Sequence, residues 1–335
     1  MPAGVDGAPG AAAREVMPAV RPPVKDMLLL RHLARAGRRF SAPVLTLGNF
    51  DGVHRGHQQI LSRLVEVARG INGEAIVLTF HPHPAAVLAP EHVPKLITDW
   101  RSRIGLIAAF DVDAVIMEHF TPAFSAITAE DFVRRFLVEG LGVRAVVVGH
   151  RVSFGHERAG RATTLRQFGA KYGFAVEVIG PVEVGGHLVS SSAVRRAISH
   201  GELERAKLLL GRTPSVTGRV AHGYHRGKGL GFPTANLRIG RLVLPPDGVY
   251  AVRVRVHGEW WPGVTNLGFN PTFHQHERSL EAHIFDFRGD VYGQRVEIAF
   301  VQRLRGEEKF PTPQALAQQI ARDVEAARRV LARAD

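Results

Sequence analysis

The sequence predicts an α/β module followed by a smaller β module. Three observations carry this. Short apolar runs recur at Val44 to Leu47, Ala75 to Phe80, Asp113 to Met117, Ala145 to Val148 and Phe174 to Ile179, with helix-length segments such as Ala129 to Glu139 between them. Alternation of that kind builds a parallel sheet of Rossmann-like type. Beyond GRTP, Gly211 to Pro214, the pattern changes to short strands and turns. A chain of 335 residues with 45% hydrophobic content can give each module a core of its own.

Residues 1–40 read as a tail, disordered at its start. The first two dozen positions are rich in Ala, Gly and Pro, with Asp6 and Glu15 among them, and lack the basic start and apolar core of a signal peptide. Val44 to Leu47 then leads through a tight turn into a helix that places Ile60, Leu61, Leu64, Val65 and Ala68 on one face. No GxGxxG follows a strand, which leaves dinucleotide binding of the dehydrogenase kind unsupported. From Ala193 to Leu210 the pattern is helical, offering Val194, Ala197, Ile198, Leu203, Ala206 and Leu210 for packing, and GRTP breaks it. The module boundary therefore falls between 212 and 213.

Past the boundary, PDGVYAVRVRV (Pro246 to Val256) alternates Tyr250, Val252, Val254 and Val256 with Ala251, Arg253 and Arg255, the period of a half-buried strand. Thr312 and Pro313 open a final helix carrying Leu316, Ile320, Val324, Ala327 and Leu331 on one stripe. That stripe is expected to pack on the β module rather than to bind a partner.

Two phosphate-handling candidates stand out. In GNFDGVHRGH, Gly48 to His57, His54 lies in the strand-to-helix turn and His57 at the helix entrance, where free N–H groups and the helix dipole favour an anion. Two imidazoles there could donate to a triphosphate, and anionic charge beside them favours their protonated forms. Gly48, Gly52 and Gly56 permit close backbone approach. A metal-site reading is weaker, since no clustered third and fourth ligand is evident and cysteine is absent. The second candidate, GYHRGKGLGFPTANL from Gly223 to Leu237, surrounds Lys228 with Gly223, Gly227, Gly229 and Gly231, then stiffens at Pro233. Thr234 and Asn236 present neutral oxygens of the kind a Mg²⁺ bridging ATP phosphates accepts. It is not a Walker loop. In LEAHIFDF, Leu280 to Phe287, alternation sets Glu281 with His283 and Phe285, opposite Leu280, Ala282 and Ile284. A carboxylate so placed could take the proton of an alcohol attacking the γ-phosphate of ATP.

GNFDGVHRGH resembles the HxGH signature of nucleotidyltransferases in the form shown by prokaryotic FAD synthetases, and GKGLGFPTANL resembles the GxPTAN motif of riboflavin kinases. GVTNLGFNPTF (Gly263 to Phe273), LEAHIFDF, DVYG (Asp290 to Gly293) and LRGEEKF (Leu304 to Phe310) follow in riboflavin-kinase order. VSSSAVRR, Val189 to Arg196, resembles the SSTxxR element, with Ser190, Ser191 and Ser192 in its first positions and Arg195 in its last. TFHPHP, Thr79 to Pro84, matches a loop that borders the flavin in relatives. From about residue 41 to the end, the chain resembles the bifunctional riboflavin kinase/FAD synthetase family.

The resemblance implies a six-stranded β-barrel for the second module, with Mg²⁺ and ATP serving both steps and FMN and FAD as products. It casts Glu281 as the base acting on the riboflavin 5′-hydroxyl, and His54, His57 and Arg195 as the adenylyl-transfer residues. ATP and flavin binding would fall to Gly48, Asn49, Phe50, Asp51, Ser190 and Ser191, and in the kinase to Gly227, Lys228, Gly231, Pro233, Thr234, Asn236 and Arg305. Thr234 and Asn236 would hold the metal. One segment departs from the family. Where a small Asp or Asn, then Phe, is usual, the chain has Arg151 and Val152, and Arg161 follows Gly160 in place of an acidic residue. An Arg151 guanidinium could pair with the FMN phosphate or point to solvent, and a kinase with an impaired adenylyltransferase is the alternative it opens.

Composition bounds the rest. No run of some 18 apolar residues indicates a membrane span. The absence of cysteine excludes disulfides and fits a reducing cytoplasm. A net charge of +12 raises a third reading, a basic nucleic-acid-binding or regulatory protein on a retired enzyme scaffold. Scattered arginines and 7% aromatic content favour instead a field that attracts ATP and FMN, with no specific nucleic acid.

Overall fold

The computed structural model describes residues 27–221, 232–269 and 278–333. Strands β1 (Leu28–Arg31), β2 (Val44–Leu47), β3 (Ala75–Phe80), β4 (Ala114–Glu118), β5 (Ala145–Gly149) and β6 (Ala175–Ile179) form one parallel sheet in the order β1-β4-β3-β2-β5-β6. Every residue of β2 and β4 is buried, as expected of parallel strands covered on both faces. Leu45 and Leu47 pack with Phe132, Leu137 and Leu141 on one side of the sheet. On the other side Val44 meets Leu61, Leu64 and Ala68 of helix α1 (Arg55–Gly70).

Three elements differ from the sequence expectation. β1 lies within the stretch read as a tail and pairs with β4 at the sheet edge, where Leu28 and Leu29 stay exposed, so backbone pairing holds it more than burial does. The helix expected at Ala129 to Glu139 is a short α-turn, Ala129–Asp131, followed by a π-helix, Phe132–Leu141, that Gly142 ends at φ 69°. Its buried Val133, Leu137 and Leu141 recur every fourth residue, a spacing that suits the wider π turn. The helical stretch from Ala193 to Leu210 is two helices, Ser191–Ser199 and Leu203–Leu210, parted where Gly201 takes φ 77°. The pattern looked continuous because both helices turn their apolar faces into the same cluster.

A small hairpin, β7 (Glu183–Val184) with β8 (His187–Leu188), precedes them. The second module is a closed barrel of β9 (Ser215–Ala221), β10 (Ala235–Arg238), β11 (Gly248–Val256), β12 (Glu259–Phe269), β13 (Arg278–Ile284) and β14 (Arg295–Arg305), ordered β10-β13-β12-β11-β14-β9. Tyr250, Val252, Val254 and Val256 fill its interior. Val249 and Ala251 on the outer face of β11, with Val264 and Phe285, pack under helix Pro313–Leu331 through Ala327 and Leu331. Thr312 caps that helix, its hydroxyl accepting the Ala315 amide at 3.1 Å, and Pro313 occupies the first turn, where a missing N–H costs nothing.

The modules meet along residues 95–99. Leu96 exchanges backbone hydrogen bonds with Arg241 and Val243 at 2.9 and 2.8 Å, and Asp99 pairs with Arg295 of β14 at 2.6 Å. Leu96 and Leu203 pack into the barrel cluster, while Val243 joins that of the two helices.

Candidate active sites

In the α/β module the strand order reverses between β2 and β5, the crevice where open α/β sheets bind ligands. The loops after these strands carry GNFDGVHRGH and the Arg151 segment. His54 caps helix α1: its Nδ1 accepts the His57 amide at 3.3 Å, so the neutral ring carries its proton on Nε2. The two imidazoles stack with centroids 3.7 Å apart and planes 14° from parallel. Gly56 permits this fit, since a Cβ there would lie 3.3 Å from the His54 ring. Burial lowers the His54 pKa to about 4 and takes His57 well below the usual imidazole value, helped there by the charges of His54 and Arg103. Without an anion beside them both rings are neutral at pH 7, and the protonated forms expected from the sequence require phosphate to arrive.

The turn that presents these rings is held from several sides. Arg103 Nη1 donates to Asn49 O at 2.8 Å and its Nη2 to Phe80 O at 2.8 Å. Ser191 Oγ donates to Asp51 O at 3.0 Å, and Ser190 caps its helix by accepting the Ala193 amide at 3.2 Å. The Asp51 carboxylate, 2% exposed, accepts the Ile97 and Thr98 amides and pairs with Arg195 Nη2 at 2.7 Å. Arg212 donates to Gly52 O at 2.8 Å. Gly52 itself needs φ +85° and would push a Cβ to 2.9 Å from Ile97. Phe50 and Asp51, expected to contact ligand, are both buried in the turn, while Asn49 bonds His83 of the TFHPHP loop at 3.2 Å.

Beside the turn opens a cavity of about 240 Å³, lined by Gly48, Asn49, Phe80, Phe124 and Phe154, with Arg151, Val152 and Arg158 among its walls. Arg151 is exposed. Arg161 is the N-cap residue of helix Ala162–Tyr172 and makes no side-chain cap bond, because a guanidinium accepts nothing.

In the barrel, β10 and β12 flank β13 with Asn236 and Asn266 both in register with Glu281, which sets the three on one outward face. The backbone carbonyl of Glu281 accepts Thr265 Oγ1 at 2.8 Å, and His283 Nδ1 lies 2.8 Å from Pro233 O. Thr234 enters this face immediately before β10. Gly227, Lys228 and Gly231 lie outside the described residues. Arg305, expected near ATP or flavin, donates to both Asp323 oxygens at 2.7 to 3.1 Å and to Gly306 O at 2.9 Å, tying β14 to the last helix.

The sequence reading missed Arg103, Arg212 and Asn266. Asn266 was legible, since it sits in the GVTNLGF strand directly opposite Glu281. The two arginines carry no local signal.

Family models for FAD synthetase and riboflavin kinase match residues 38–193 and 210–331. The chain is 40% identical over 307 residues to the bifunctional riboflavin kinase/FMN adenylyltransferase of Pseudomonas fluorescens, covering 91% of this chain and 98% of that one. It belongs to the bifunctional riboflavin kinase/FMN adenylyltransferase family. The same description applies to its relatives from Haemophilus influenzae, 38% identical over 90% of this chain and 98% of that one, and from Escherichia coli K12, 39% identical over 84% and 90%. A crystal structure from Streptococcus pneumoniae, described as a macrolide-efflux protein, superposes with a TM-score of 0.80 at 30% identity, over 90% of this chain and 99% of that one. Among the described residues of this family member, no helix is long and apolar enough to cross a membrane.

Proposed function

We propose that the two activities of the family divide in this chain at residues 212 and 213, with FMN adenylylated to FAD in the α/β module and riboflavin phosphorylated to FMN in the barrel, each with ATP. The stacked His54–His57 pair at the N-terminus of α1, beside a cavity at the switch point of the sheet, carries the first assignment. An FMN phosphate oxygen attacks the α-phosphorus of ATP, and the bond to the departing pyrophosphate breaks. His54, His57 and the helix N-terminus receive the polyphosphate, whose charge raises both imidazoles from neutral toward protonated donors. Arg195 adds a cation anchored by Asp51, and the flavin ring enters the aromatic cavity, with Arg151 on its wall.

In the barrel, Glu281 accepts the proton of the ribityl 5′-hydroxyl as its oxygen attacks the γ-phosphorus. Asn236, in register with Glu281, and Thr234 supply neutral oxygens suited to a Mg²⁺ that neutralises phosphate charge when bound. Gly227, Lys228 and Gly231 complete the phosphate contacts. The chain acts in the cytoplasm, a reading that its lack of cysteine supports.

The exposed Arg151 and the uncapped helix behind Arg161 favour one second reading, a kinase whose adenylyltransferase is impaired. Purified protein incubated with ATP, Mg²⁺ and either riboflavin or FMN, with products separated chromatographically, decides between them. The proposal expects riboflavin to pass through FMN to FAD. Accumulated FMN, with added FMN untouched, would establish the second reading.

A further inference from the structure

Arg212 belongs to the connection that leads into the first strand of the barrel, one residue past Gly211, whose φ of 72° ends the preceding helix. Its side chain is half-buried and turns back into the α/β module. There Nη2 donates to Gly52 O at 2.8 Å and Nη1 reaches Val53 O at 3.4 Å. Val53 O also accepts Gln58 Nε2 at 2.9 Å, and the same amide donates to Leu210 O at 2.7 Å. The carbonyls that immediately precede His54 are thus held from the end of the helix pair and from the linker.

Arg212, like Arg103, holds the turn through carbonyl oxygens. Among the described residues it has no carboxylate within ion-pairing distance, whereas Arg195 has Asp51 and Arg305 has Asp323. Glu297 of β14 acts on it only from farther away. Burial lowers its pKa to about 10, which leaves it protonated at neutral pH. A half-buried cation with neutral partners loses part of its hydration on folding. Its position behind a phosphate-handling turn supplies a compensation, because an incoming polyphosphate meets a field already positive.

We propose that Arg212 is a positioning residue for adenylyl transfer: by holding the Gly52 and Val53 carbonyls it fixes the turn that presents His54 and His57, so that the end of the α/β module, where the chain leaves for the barrel, takes part in the adenylyl-transfer site. The inference rests on assigning adenylyl transfer to those histidines. It makes this connection part of the adenylyltransferase rather than a tether.

The test uses the full chain with Arg212→Met and Arg212→Lys, measuring FAD formation from FMN and FMN formation from riboflavin in each preparation. Arg212→Met should lower kcat/KM for FAD formation at least tenfold, mainly through kcat, while riboflavin phosphorylation stays within twofold. Arg212→Lys, whose ammonium can donate to the same carbonyls, should recover most of that loss. FAD formation within twofold of the parent in Arg212→Met would overturn the inference. So would a lysine variant no better than the methionine variant, with both activities falling together, since that marks general support of the fold. If Arg212→Met does not fold, Arg212→Gln takes its place under the same thresholds. Absence of FAD formation by the parent chain would instead sink the histidine assignment.

Discussion

His54 serves at once as a helix cap and as a candidate phosphate ligand, and the burial that suits the first role sets a pH dependence. In the unfolded chain its imidazole protonates near 6.5, in the folded chain only near 4. Between those values the unfolded state binds more protons, so stability rises with pH across the window; the contribution is present above pH 6.5 and is lost as pH falls toward 4. The melting temperature should therefore drop on acidification from pH 6.5 to 4. His54→Asn, which keeps an acceptor for the cap but does not titrate, should flatten the slope, and an unchanged slope would refute the attribution. Asp51 and Arg195 make a second residue-scale case. Arg195→Ala strands a carboxylate that is 2% exposed and should cost about 3 kcal/mol, whereas the double variant Asp51→Asn/Arg195→Met should cost less. Urea denaturation of the three proteins measures this, and equal losses would show that the ion pair is not the origin.

Helix Ala162–Tyr172 begins at a residue that cannot cap it. Arg161→Asp should place an acceptor at the cap and remove a cation from the positive end of the helix, adding about 1 kcal/mol. A urea midpoint that stays level or falls would contradict this. Legibility of the elements in the sequence follows the same local physics. β2 to β5 and β11 announced themselves because burial on one or both faces writes an apolar run or a period of two, while β6, with no fully buried residue, showed through the run that the buried Phe174 opens. β1 did not, because an edge strand with exposed leucines is held by hydrogen bonds that any side chain allows. Among site residues, His54, His57, Asn236 and Glu281 were readable because each lies in a contiguous motif. Arg103 and Arg212 were not, since each meets the turn from a distant part of the chain and only the folded sheet and linker bring them to its carbonyls.

Across the whole molecule, the two candidate phosphate-handling sites stand on architectures with different logic. The parallel sheet gathers its site at loop ends where the strand order reverses, and the barrel displays Asn236, Glu281 and Asn266 across three adjacent strands. Residues 95–99 touch both modules, holding Asp51 through the Ile97 and Thr98 amides while Leu96 and Asp99 bond the barrel side. In the proposed division of labour the chemistries nonetheless separate by module. Its most direct measurement compares Glu281→Gln and His57→Ala for FMN formation from riboflavin and for FAD formation from FMN. Glu281→Gln should lose FMN formation by about 10²-fold or more and keep FAD formation, and His57→Ala should show the reverse. Normal phosphorylation by Glu281→Gln, or loss of phosphorylation with adenylylation intact in His57→Ala, would contradict the account.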